Sequence, residues 1–159
     1  RHYFNSQSEL LAFSMKLIGE RVEQRIVQLY QTGLTGDVRA DVMRILEEVL
    51  PLDEERVSES IIWLGFVSRA LIDPALAPLS AEVQESLMRM MRLLTESLGT
   101  IVPDSSGFDA ELEARRLHAL VDGLVVHALS NPDAITPEVM RRTLAHHLEE
   151  MLKPRGNAG

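Results

Sequence analysis

Between Leu117 and Val126 the sequence runs Leu-His-Ala-Leu-Val-Asp-Gly-Leu-Val-Val, which as a helix is apolar almost all round. Such a helix must be covered on every side. The chain's own helices can cover one face, and the other calls for a partner. This stretch therefore requires several long helices around it, and five further segments with helical periodicity supply them.

The first segment spans about 6–32. Ser6 and Glu9 form a capping box, with Phe4 and Leu10 placed as a hydrophobic staple. Leu11, Met15, Ile18, Val22, Ile26 and Leu29 form one stripe, and Gly33 is the stop. At 1.5 Å per residue this helix is about 40 Å long, enough to link two functional parts. The second spans about 37–50 and ends at Pro51. The third spans about 53–72, with Asp53 as cap, a face widened by Trp63 and Phe66, and a break at Asp73-Pro74. Ser80 caps the fourth, about 80–98, which stops at Gly99. The fifth, about 109–130, contains the apolar stretch. The sixth, about 136–152, starts with Thr136 as cap and Pro137 at the first helical position. Only residues 131–135 join the last two helices, so they form an antiparallel hairpin. Two such hairpins across a two-fold axis make a four-helix bundle, so a homodimer is expected.

Composition narrows the function. The chain has no cysteine, which excludes disulfides, thiolate metal sites and a cysteine nucleophile, and agrees with a cytoplasmic location. A net charge of −8 argues against this chain itself binding nucleic acid or anchoring electrostatically to a membrane. The longest apolar run, Ile61 to Val67, is far short of the roughly 20 residues of a membrane span. The chain starts at Arg1 rather than Met, so an upstream part is expected.

Two stretches carry a family resemblance. The opening, His2-Tyr3-Phe4-Asn5-Ser6-Gln7-Ser8-Glu9-Leu10-Leu11, resembles the junction in TetR-like transcriptional regulators where the recognition helix ends and the long linking helix begins. Gln7 stands where that family usually carries Lys. The stretch Glu113 to Leu124, with Asn131-Pro132-Asp133 and Thr136-Pro137-Glu138 after it, is similar to the family's dimerising hairpin. The resemblance implies an all-α bundle of about six helices that dimerises through the last two helices of each chain. It assigns 1–5 to the end of a helix-turn-helix, 6–152 to a ligand-sensing and dimerising domain, and 153–159 to a flexible tail. It further implies operator DNA as a partner through an upstream head, with His2 and Tyr3 against the DNA backbone, and a repressor released by a small molecule. The first helix would be the lever.

Candidate sites follow. Phe13, Trp63, Phe66, Met88 and Met91 suit a greasy pocket for a small apolar or cationic effector, with His118 and Asp122, one turn apart, as polar anchors. Ordinary core is the competing reading for each. The expected dimer seam comprises Leu117, Val121, Gly123, Leu124, Val125 and Ala128 with Met140, Leu144, His147, Leu148 and Met151. Gly123 costs about 1 kcal/mol in mid-helix, which suggests a close helix approach. His146 and Glu150 offer two metal ligands where four are usual, so neither metal nor cofactor is expected. Phosphate loops, nucleophile elbows and carboxylate di-metal motifs are lacking, so no enzyme is expected. The alternative is a homodimeric helical interaction module with no pocket.

Overall fold

The computed structural model describes residues 6–155. Six α-helices follow one another: α1 (Gln7–Thr32), α2 (Val38–Glu47), α3 (Glu54–Ala70), α4 (Ala77–Gly99), α5 (Ala110–Ser130) and α6 (Pro137–Met151). A 3₁₀ turn, Pro74–Leu76, leads into α4, and there is no strand among the described residues.

Local chemistry sets the helix starts. Side-chain oxygens of Ser6, Asp37, Asp53, Asp109 and Thr136 each accept a backbone N–H three residues on, satisfying donors that would otherwise be orphaned. The fourth helix departs from expectation. It begins at Ala77, not at a Ser80 cap, and no side chain caps it. Asp73 caps the 3₁₀ turn instead, accepting from the Ala75 N–H. Helical backbone then runs through Pro78, which lacks a donor but sits in the first turn, where none is needed. At the far end Gly99 lets the Phe108 ring come close: a Cβ there would lie 2.9 Å from the ring.

The core has two parts. The larger gathers buried side chains of α2, α4, α5 and α6, including Leu46, Met91, Leu98, Leu117, Leu144 and Leu148. The smaller is built of Met15 and Ile18 from α1, Phe66 from α3 and Leu76 from the 3₁₀ turn. Trp63 packs against both. α1 lies chiefly on α3 and touches the 3₁₀ turn, while α4 and α5 form the most extensive helix pair.

Most residues of the expected dimer seam lie within the chain's own core. Leu117, Val121, Leu124, Val125, Ala128, Met140, Leu144, Leu148 and Met151 are all buried inside one chain. A side chain closed over by its own chain has no surface to offer a second copy. The apolar circumference of α5 is covered on that side by α3, α4 and α6. Gly123 and His147 are only partly buried.

His2, Tyr3 and the staple residue Phe4 lie outside the described residues, as do 156–159. The described start of the tail folds back: the Arg155 guanidinium sits 4.9 Å from the centre of the Phe108 ring and 3.3 Å from Glu113.

Candidate functional site

The residues expected to line a pocket do not share one cluster. Phe66 belongs to the smaller core and Met88 and Met91 to the larger. Trp63 alone joins the two, and Phe13 is exposed on α1. His118 and Asp122 lie on α5, with His118 Nε2 3.3 Å from Asp122 Oδ2. Burial pushes the Asp122 carboxyl above its ordinary range, and His118 acts in the opposite sense.

Two interior polar atoms stand out here. Trp63 Nε1 and His118 Nε2 are both sealed from solvent, and neither makes a hydrogen bond. A buried donor or acceptor without a partner costs about 1–3 kcal/mol. The two residues sit on α3 and α5, helices that pack against each other.

Sequence reasoning missed the ties that hold α1. In its second half, Arg25 donates from Nη1 and Nη2 to both carboxylate oxygens of buried Glu59 at 2.8 and 2.6 Å, and from Nε to Glu48 at 2.9 Å. The Glu59 hydrogen bond, ahead of Glu48, holds the Arg25 guanidinium far above its usual range. At the start of α1, buried Ser8 donates to Asp73 and accepts from Arg69 Nε at 3.0 Å. Nothing in the spacing of Arg25, Glu48 and Glu59 sets them apart from solvated charges. Only the tertiary approach of α1 to α3 brings them together.

A second polar cluster lies where α5 begins and α6 ends. Glu113, 2% exposed, accepts from Arg116 at 3.0 and 3.2 Å and from Arg155 at 3.3 Å. His147 Nε2 is buried without a hydrogen bond. Burial pushes the His147 imidazole below its usual range, helped by Arg116. No group of metal ligands forms among the described residues, and Glu150 instead pairs with Lys153 at 2.6 Å.

The outer face of the α5–α6 hairpin has a different composition from the expected seam. On α5, Leu112 is exposed, and Leu120, Gly123 and Val126 are half-buried. A Cβ on Gly123 would meet nothing within 4 Å. On α6, Val139, Arg142, Thr143, Ala145, His146 and Glu149 line a shallow open groove. The signal for this row was present in the sequence: Leu112, Leu120 and Val126 fall on one helical face with Gly123.

Comparison with known proteins settles the family. Residues 38–153, from α2 through α6, match the family of BetI-type transcriptional repressor C-terminal domains. The chain belongs to this TetR-like family. The chain is also 34% identical over 151 residues to the HTH-type transcriptional regulator PksA of Bacillus subtilis (strain 168), covering 95% of this chain and 71% of that protein. A crystal structure of a transcriptional regulator from Rhodococcus sp. Rha1 shares the fold at a TM-score of 0.76 and 23% identity, covering 94% of this chain and 74% of that one. These likenesses place the BetI-type domain in a transcriptional regulator, whose family is not enzymatic. No helix among the described residues is long and apolar enough to cross a membrane.

Proposed function

We propose that this chain is the part of a repressor that binds a small effector and pairs with a second copy, while operator DNA is read by a head joined ahead of Ser6. The divided core carries this reading. The buried residues of α1, Met15 and Ile18, belong to the smaller cluster, Ile26 and Leu29 further along rest on the larger one, and the helix packs chiefly on α3. Its 26 residues make a rod of about 39 Å, tied by Ser8 at one end and Arg25 further along. An effector admitted where the clusters meet, at Trp63, moves the smaller cluster as a unit and α1 with it. The effector acts only through its preference for the displaced arrangement. Turning a population from 1:99 to 99:1 needs a difference of about 5.5 kcal/mol.

The outer face of the α5–α6 hairpin is the pairing surface in this reading, with Gly123 at the closest approach. A two-fold pair of heads then reads a near-palindromic operator. The test is the distance between spin labels placed in the two heads of the full-length dimer. It is expected to change when effector releases the operator. Release with unchanged spacing and unchanged flexibility would overturn the lever. A dimeric module without a pocket draws support from the full burial of Phe66 and Met91. It is distinguished by a melting temperature that no small molecule raises.

A further inference from the structure

The interior offers unequal opportunities to a ligand. Its buried carboxylates are already neutralised: Glu59 by a bidentate Arg25, and Glu113 by Arg116 and Arg155. Arg25, in turn, is saturated by Glu59, Glu48 and the Glu48 carbonyl oxygen. Asp122, half-buried beside His118, is biased by burial toward its uncharged form. No spare charge of either sign therefore faces the junction of the two clusters from these groups. What the junction does hold is a hydrogen-bond donor. Trp63 Nε1 can only donate, is sealed from solvent and has no partner. Around it lie apolar side chains of both clusters, so a guest must be mostly apolar to enter.

We infer that the effector is a neutral, largely apolar molecule bearing an acceptor oxygen (a ketone, ester, lactone or amide carbonyl), which receives the Trp63 Nε1–H. The inference rests on the effector-binding reading above and narrows it: a cation has no unpaired buried carboxylate to meet, and a plain hydrocarbon leaves the indole N–H unmet. A site built to hydrogen-bond an oxygen discriminates strongly against an analogue lacking it, because the site's own polar group then stays unpaired.

The probes are fluorenone and fluorene, flat molecules of nearly equal shape that differ by the carbonyl oxygen. Trp63 is the only tryptophan, so its emission reports occupancy of the junction directly. Fluorenone is expected to quench Trp63 saturably and to bind about tenfold more tightly than fluorene, the ratio expected of one buried hydrogen bond. Equilibrium dialysis against Trp63→Phe, which keeps a ring but removes the donor, is expected to bring fluorenone down to the affinity of fluorene while leaving fluorene unchanged. A melting curve confirms that the variant is folded. If both probes bind the parent chain with equal affinity, the interior site stands and the carbonyl inference falls. If neither binds, both fall. If fluorenone keeps its advantage in Trp63→Phe, the oxygen is read by another group and the assignment to Trp63 is overturned.

Discussion

At the scale of single residues, the most consequential side chains are charged ones whose spacing in the chain does not distinguish them from solvated surface charges. Glu59 is buried at 6% exposure, and Arg25 meets both its oxygens. Glu59→Gln leaves Arg25 with Glu48 at 2.9 Å and Glu55 at 3.5 Å as ionic partners and is expected to cost about 2–3 kcal/mol in urea denaturation, below the 3–5 of a fully buried pair because Arg25 is partly exposed. His147 gives a pH signature. Its folded imidazole takes a proton less readily than the unfolded chain's, whose ordinary value is 6.5. Stability is therefore lost as pH falls through that value toward the lowered folded one. The groups around it, Arg116, Glu113 and His146, act more weakly than burial. His147→Phe is expected to flatten the melting-temperature profile between about pH 7.5 and 5.5. The carboxylates of Asp53, held low by Arg56, and Asp41, held low by the Thr35 N–H, lose their contribution further down, as pH falls through their own depressed values. The two windows are thus separable in one titration.

At the scale of elements, caps and stops were legible and coverings were not. Ser6, Asp37, Asp53, Asp109 and Thr136 stand before apolar periodic runs, and each caps its helix. Thr136→Ala is expected to cost about 1 kcal/mol, read as a shift in the denaturation midpoint, because the Val139 N–H then loses its acceptor. Ser80 misled because Pro78 resembles loop punctuation, yet proline in a first turn costs a helix little. The buried stripes of α5 and α6 were also visible, but periodicity marks which face is apolar and does not say what lies against it. Leu117, Leu144 and Leu148 have the pattern of a seam between chains and belong to the core of one. Trp63 and Phe66 were recognisable as residues of a central helix. That Phe66 falls in the smaller cluster while Trp63 bridges both depends on where α1 and the 3₁₀ turn dock, which local spacing does not encode. Gly99→Ala tests such a docking contact. Its methyl would press on the Phe108 ring, which Arg155 covers, so loosening of the 100–109 loop is expected as faster proteolysis there.

At the scale of the whole molecule, Gly123 separates a lone chain from a paired one. Within one chain a side chain there meets nothing, so Gly123→Ala would gain about 1 kcal/mol of helix stability. If the outer hairpin face is the pairing surface, a large side chain at the same place holds two helices apart. Gly123→Arg is expected to yield monomers in analytical ultracentrifugation, with the helical circular dichroism of the chain retained. A dimer undisturbed by this change would place the pairing surface elsewhere.

The divided core has a further consequence, for the order in which the molecule comes apart. α1 and Phe66 of α3 are anchored in a cluster of four buried side chains, Met15, Ile18, Phe66 and Leu76, whereas α4, α5 and α6 share the larger one. Cooperative units of a protein open separately when the contacts between them are few. The first half of α1, whose buried side chains Met15 and Ile18 lie in the smaller cluster, should therefore detach and reclose while the remainder stays native. Backbone amides in the first half of α1 would exchange with deuterium well ahead of those at Leu117 to Leu124, and the domain would melt from the start of its linking helix inward.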